Sequence, residues 1–277
     1  MKNLNYSVLM SIYHKEKPEF FKESIESMLK QSVKTNDFVI VCDGPLTKEL
    51  DDIIKNFVKK NKNVFNIVRL EKNMGLGLAL NKGILACKNE YIARMDTDDI
   101  AASNRIEKQL EFLINHKDID MIGCSALEFQ DNIDNIIDKA VFPLTDDEIK
   151  KYAKSRNPFC HPSVMFKKSK VIEAGNYESF HLVEDFDLWV RMILNGCKFA
   201  NLSESYLYWR VGQDFYKRRS GLKYAKSILR FLKKQYKRGF LNRKEYYKAC
   251  IIRTIVYLMP NKLRELIYKN VLRKKVN

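Results

Sequence analysis

Short apolar runs alternate with amphipathic stretches through the first part of the chain, and the alternation predicts strand, helix, strand, helix. Tyr6 to Tyr13 (YSVLMSIY) is an apolar run that ends in His14, Lys15 and Glu16, as a buried strand does at the polar edge of a sheet. From Pro18 to Gln31, the residues Phe20, Phe21, Ile25, Met28 and Leu29 recur at helical spacing and define an inward face. Phe38 to Cys42 (FVIVC) reads as a second buried strand, closed by Asp43-Gly44-Pro45. Leu50 to Lys59 is helical, with Ile53, Ile54, Phe57 and Val58 as its apolar face. Phe65 to Leu70 is a third strand.

The remaining elements are arranged around the stretch from Asn73 to Asp99. Gly75, Ala79 and Gly83 recur every four residues and share one helical face, and a face without bulk presses closely against a sheet or a ligand. Tyr91 to Met95 then reads as a buried strand that delivers Asp96, Asp98 and Asp99 to its carboxyl edge. Beyond it, Asn104 to His116 is a helix and Met121 to Gln130 a strand. Ile133 to Val141 is a hairpin arm or loop, and a helix begins behind Thr145 and its acids. Val164 to Phe166 is a short strand, Gly175-Asn176-Tyr177 a turn, and Val183 to Trp189 opens a helix with Leu188, Trp189, Met192 and Ile193 inward. Strands and helices in this order describe an open α/β sheet with mostly parallel strands. Ligands of such sheets bind past the strands' carboxyl ends, where His14, Asp43 and Asp96 to Asp99 would meet.

Composition narrows the class. A chain of 277 residues with 45% hydrophobic residues buries a large core, and one main domain with a smaller appendage is expected. No apolar run is long enough for a membrane span or a signal peptide, so a cytosolic protein is expected. Six cysteines are scattered and never arranged as Cys-x-x-Cys, which favours reduced core thiols over disulfides or zinc. The net charge of +16 is uneven: Gln213 to Asn277 holds 20 basic and 3 acidic residues. That asymmetry divides the chain into a near-neutral part, residues 1–212, and a basic part, residues 213–277.

The candidate chemistry lies in the carboxylates. In extended chain Asp96 and Asp98 point the same way with Thr97 turned opposite. Aspartates crowded at one strand end repel unless a cation or hydrogen bonds hold them. Two such carboxylates suit a hard divalent ion that keeps positions open for phosphate oxygens; a solvated acidic loop capping the next helix is the plainer alternative. Gly75-Leu76-Gly77 begins a dinucleotide-binding fingerprint, but Leu80 stands where a small residue is needed. A nucleotidyltransferase would need a glycine-rich loop after the first strand, and Ser11 to Phe20 has none.

Taken together these residues resemble the family 2 inverting glycosyltransferases, which have the GT-A nucleotide-diphospho-sugar transferase fold. The elements of the likeness are the strand running into Tyr13, the Asp43-Gly44 turn and Asn73-x-Gly75-x-x-x-Ala79-x-Asn81-x-Gly83. Asp96-Thr97-Asp98-Asp99 and Glu184-Asp185 with Leu188-Trp189-x-Arg191 complete it. It is similar to enzymes that extend lipid-linked bacterial surface polysaccharides, including the amylovoran and O-antigen galactosyltransferase type.

The resemblance implies a donor site at Tyr13, Asp43, Asn73, Gly75, Asn81, Arg94 and Asp96, with Asp43 accepting from a uracil ring. It implies Mn²⁺ or Mg²⁺ on Asp98 and Asp96, Asp185 as the base that deprotonates the acceptor hydroxyl, and Glu184 positioning it. The donor would be a UDP-sugar, UDP-galactose being the first choice, and the acceptor a polyprenyl-diphosphate-linked saccharide. Independently, Asp43-Gly44 is a common turn pair, and Asp185 also suits a helix's first turn. His161 is open to three readings, as a metal ligand, an acceptor contact or a hydrogen-bonded core histidine. Arg191 either pairs with the active-site acids or decorates the surface.

Ser220 to Lys237, Arg243 to Leu258 and Asn261 to Arg273 read as three basic amphipathic helices. They suit the inner, anionic face of a membrane, with Arg210, Arg218 and Arg219 as candidate contacts to a lipid-linked diphosphate. A plain helical cap with solvated lysines is the alternative. A basic tail with interleaved tyrosines also permits nucleic-acid binding, but the near-neutral front part argues against a nucleic-acid partner.

Overall fold

A computed structural model of the chain describes residues 4–212 and 221–258. The strands, in chain order, are β1 (Tyr6–Ile12), β2 (Asp37–Cys42), β3 (Phe65–Arg69), β4 (Tyr91–Arg94), β5 (Ile100–Ala101), β6 (Met121–Phe129), β7 (Ile136–Ala140), β8 (Met165–Lys167) and β9 (Phe199–Arg210). The helices are α1 (Pro18–Leu29), α2 (Lys48–Lys60), α3 (Leu76–Ala86), α4 (Arg105–Asn115), α5 (Asp146–Ala153), α6 (Lys168–Glu173), α7 (Glu184–Leu194), α8 (Gly221–Lys237) and α9 (Arg243–Leu258).

One sheet runs in the order β3-β2-β1-β4-β8-β6-β9-β5, with β7 paired to β6 off that path. The first four strands are parallel, as the strand–helix alternation predicts. The other half is mixed: β8 is antiparallel to β4 and β6, while β9 is parallel to β6 and antiparallel to β5. Along β6, one edge is taken throughout by β9, so β7 and β8 share the other edge in succession. That arrangement stands β7 as a wall beside the exit of β4.

The small-residue face of α3 meets the sheet. A Cβ on Gly83 would lie 2.3 Å from Leu9 Cδ1 and 2.8 Å from Val41 Cγ2. A second small position, Gly77, admits the segment before α7: a Cβ there would lie 2.3 Å from the Glu178 carbonyl and 3.1 Å from Glu184 Cβ. The expected cap of α5 is present, with the Glu148 carboxylate accepting from the Thr145 amide at 3.1 Å.

The basic segment does not stand apart from the front of the chain. In α8, Ile228, Phe231 and Leu232 are buried against Val183, Phe186 and Val190 of the α7 segment. Asp187, fully buried, accepts from Gln235 Nε2 at 2.9 Å, Arg238 Nη1 at 2.7 Å and Arg191 Nε at 2.9 Å. Arg191 is therefore neither surface decoration nor a partner of the cleft acids: it is buried and also donates to the Ala174 carbonyl. The expected helix from Asn261 to Arg273 lies outside the described residues, as do Arg218 and Arg219. Among the described residues, no helix is long and apolar enough to cross a membrane.

Candidate active site

A cleft of about 1470 Å³ opens past the carboxyl ends of β1, β2 and β4, bounded by β7, the turn after α5 and the start of α7. Tyr13, Asp43, Asn73, Gly75, Arg94, Asp96, Asp98, His161, Glu184, Asp185 and Arg210 all line it. Residues separated by more than a hundred positions thus converge where an open α/β sheet binds ligands.

Asp96 and Asp98 stand on the loop after β4. Thr97 between them is buried and donates to Glu16 at 2.5 Å. Carboxylate oxygens of Asp96, Asp98 and Asp99 all lie within 4.8 Å of one another. Asp99, which sequence reasoning left without a role, is fully buried; its Oδ1 accepts from the Arg210 amide at 2.8 Å, and its Oδ2 has no hydrogen-bond partner. Burial, followed by the charges of Asp98 and Asp96, raises the Asp99 carboxyl well above the usual carboxylate range. Three oxygen-only donors and an orphaned buried oxygen fit a hard divalent ion, Mg²⁺ or Mn²⁺, rather than a softer metal.

The loop is held from two sides. Ser24 of α1 donates to the Asp96 carbonyl at 2.6 Å, and Arg210 Nε to the Asp98 carbonyl at 2.8 Å. The Arg210 guanidinium lies 3.8 Å from the Phe20 ring centroid, 4.5 Å from that of Phe129, and 2.8 Å from Glu23. It is thus committed to bracing the acidic loop. Arg94, 1% exposed, pairs with Asp96, while its Nε and Nη1 have no hydrogen-bond partner.

Asp43 organises the loop before α3. Its two carboxylate oxygens accept from the Met74 amide at 2.6 Å and the Gly75 amide at 3.0 Å, and Asn73 Nδ2 donates to its carbonyl at 3.2 Å. A Cβ on Gly44 would lie 2.7 Å from the Asn73 nitrogen, and its φ is +89°, so glycine is required where the two loops touch. A carboxylate has about four acceptor sites, so these bonds leave capacity for a ligand N–H. Asn81 is elsewhere: it donates to the Tyr177 carbonyl at 2.9 Å and ties α3 to the Gly175–Tyr177 turn, without lining the cleft.

The opposite wall carries the Glu184-Asp185 pair in the first turn of α7. Asp185 accepts from the Phe186 amide at 2.7 Å and from Asn157 Nδ2 at 2.6 Å. Glu184 is buried, and burial together with the neighbouring Asp185 charge pushes its carboxyl up to about 7. The His161 ring joins the Tyr177 hydroxyl at 2.8 Å and stands edge-on to Trp189. Burial first, then the Arg94 charge, holds its imidazole well below the usual range. It is hydrogen-bonded and on the cleft wall. Asn157 was also not foreseen; its place before Pro158 reads as an ordinary turn, and no spacing links it to Asp185.

The chain matches the family model "Glycosyl transferase family 2" over residues 7–174. It is 37% identical over 267 residues to the amylovoran biosynthesis glycosyltransferase AmsE of Erwinia amylovora, covering 95% of this chain and 98% of that one. It is 35% identical over 271 residues to the UDP-Gal:alpha-D-GlcNAc-diphosphoundecaprenol beta-1,3-galactosyltransferase of Escherichia coli, covering 97% of each. Among solved structures, the S. aureus TarS fragment 1–349 in complex with UDP superposes with a TM-score of 0.62 at 19% identity, over 96% of this chain and 86% of that one. The mannosyltransferase PcManGT from Pyrobaculum calidifontis, in complex with GDP-Man and Mn²⁺, gives 0.64 at 11% identity, over 94% and 71%. A GT-A sheet with acidic residues at its ligand edge and these extended likenesses lead to one assignment: the chain belongs to the family 2 glycosyltransferases.

Proposed function

We infer that this glycosyltransferase is metal-dependent and inverting, and that it moves a sugar from a UDP-sugar to a lipid-linked saccharide of a bacterial surface polysaccharide. The observation that carries the reading is a single cleft with the Asp96 and Asp98 carboxylates on one wall, Asp99 buried behind them, and Asp185 on the other. Asp96 and Asp98, backed by Asp99, would hold Mn²⁺ or Mg²⁺, which when bound neutralises the charge that grows on the leaving diphosphate. Asp43, with the Asn73–Gly75 loop stapled to it, offers acceptor and donor groups to the nucleoside. Arg94, paired with Asp96, fixes that carboxylate and adds positive charge behind the acidic loop.

Asp185 takes the proton from the acceptor hydroxyl as that oxygen attacks the anomeric carbon. A single displacement from the face opposite the leaving group inverts the anomeric centre, so an α-linked donor gives a β-linked product. Glu184, with its carboxyl near 7, shares the charge of the acidic pair. The UDP of the donor is supported by the E. coli relative whose description names UDP-Gal. UDP-galactose is accordingly the first donor to test, and the same description supports a diphosphate-linked acceptor.

A thermal-shift panel of UDP-, GDP-, CMP- and dTDP-sugars, each with and without Mn²⁺, tests the reading, because a ligand that binds only the native state raises Tm. Stabilisation by a UDP-sugar that depends on Mn²⁺ is expected. Stabilisation by another nucleotide sugar alone would replace the donor, and indifference to all of them would overturn the reading.

A further inference from the structure

The acids of the cleft stand after β1, β2 and β4, on β6 and at the start of α7, with Lys15, Lys17, Arg94 and Arg210 among them. The wall formed by β7, the turn after α5 and α9 contributes Lys139, Lys154, Arg156 and Arg253 and no acid at all. Lys154 is spent internally, on the Phe240 carbonyl and on Glu245 at 3.5 Å. Arg253 donates to the Ser155 carbonyl at 2.6 Å and so holds the turn against α9. Arg156, half-buried, and Lys139 thus line the cleft with no ion-pair partner among the described residues, an arrangement that favours an anionic ligand.

Two further observations say what kind of anion. Arg156 immediately precedes Asn157, whose side chain touches Asp185 at 2.6 Å, so its Cα lies about 3.8 Å from that of the residue holding the base. An anion held by Arg156 would thus lie beside the segment that positions Asp185. Apolar side chains line the same cleft: Val141 and Leu144, both exposed, with Leu182, Phe186 and Phe231. A ligand that suits it carries a sugar, then a phosphate group, then a hydrocarbon chain.

We propose that Arg156, aided by Lys139, binds the diphosphate of a lipid-linked acceptor whose hydrocarbon chain lies along the apolar side chains Val141, Leu144, Leu182, Phe186 and Phe231. The guanidinium presents a fork of N–H donors that matches phosphate oxygens two at a time. The donor's own diphosphate would be left to the end of β4, where Asp96 and Asp98 would hold a divalent ion, so the two diphosphates would not compete for the same side chains.

The inference rests on the glycosyltransferase reading, and calorimetry on the full chain separates the two. In EDTA and without donor, three probes are titrated: farnesyl-diphosphate-linked N-acetylglucosamine, the neutral farnesyl glycoside of the same sugar, and inorganic pyrophosphate. The diphosphate conjugate is expected to bind more tightly than either of the others. Arg156→Ala should weaken its binding about 10- to 100-fold, the loss of one charge-assisted contact, and erase its advantage over the neutral glycoside. Lys151→Ala, which removes an exposed charge one turn away on α5, should leave that advantage intact.

Equal losses in the Arg156 and Lys151 variants would reduce the effect to general charge and overturn the proposal. So would an unchanged Arg156→Ala variant, or wild-type protein that binds the neutral glycoside as well as the conjugate. Pyrophosphate binding as tightly as the conjugate would make this a free-anion site, also against it. Failure of the underlying reading looks different: the wild-type protein would then gain no stability from any nucleotide sugar with Mn²⁺.

Discussion

Asp185 and Glu184 are neighbours in one helical turn with unlike surroundings, and their variants should behave differently. Asp185 receives hydrogen bonds from Phe186 and Asn157, which hold its carboxylate in place at the cleft. Asp185→Asn keeps the shape and the donor site but cannot take the acceptor's proton. It should retain UDP-sugar affinity by calorimetry while transfer falls about 10²- to 10⁴-fold; turnover within a few fold of wild type would remove Asp185 as base. Glu184 is raised to about 7 by burial and by Asp185, so the folded protein holds a proton that the unfolded chain releases near 4.5. The folded state therefore loses stability as pH rises from about 4.5 to 7. Glu184→Gln has no such titration. In EDTA its Tm minus that of wild type should climb across this window and then level off, and a difference flat from pH 4.5 to 8 would show that Glu184 is not buried as a coupled acid.

At the scale of elements, the start of α7 is fixed by what packs on both sides of it. Asp187 lies one turn beyond the acidic pair and gathers Arg191 from its own helix with Gln235 of α8 and Arg238 just past its end. Removing that carboxylate leaves two guanidinium groups with less compensation in a buried site, and Asp187→Ala should cost about 3–5 kcal/mol in urea unfolding. A loss below about 1 kcal/mol would mean that α8 is held by its apolar face alone. This docking was only partly legible in the sequence. The apolar positions of α8 are plain from helical spacing, but Asp187 reads as one more acid in a first turn, and nothing in its neighbourhood announces Gln235. The same reason explains β9, which passed unread: its pattern mixes buried and exposed positions because β6 flanks one edge while β5 pairs only its last residues. The carboxylates at the end of β4, by contrast, were legible, because a short apolar strand running into clustered acids has one location in an open sheet. Asp99 and Asn157 were not, since their roles come from Arg210 and Asp185 across the fold.

At the scale of the whole molecule, the boundary drawn by charge and the boundary drawn by packing do not coincide. Charge divides the chain near residue 212, yet α8 completes the core over Val183, Phe186 and Val190 and lines the cleft with Ile228 and Phe231. A chain ended at Val211 would expose that core and strip Asp187 of two partners, so it should fail to give a cooperative melt and is unfit for testing membrane docking. Ending the chain after Leu258 avoids the problem. It removes Lys262, Arg264, Lys269, Arg273, Lys274 and Lys275 against the single acid Glu265, and leaves α8 and α9 whole. Basic residues beside an anionic bilayer contribute about 1 kcal/mol each, so losing them should lower partitioning onto phosphatidylserine vesicles by orders of magnitude at low salt. The difference should shrink as salt screens the charges, while Mn²⁺-dependent UDP-sugar stabilisation persists in the shortened chain. Equal vesicle binding by the two chains would exclude the terminal basic residues as the membrane contact. The exposed Ile251, Ile252 and Ile255 of α9 would then be the surface to replace next.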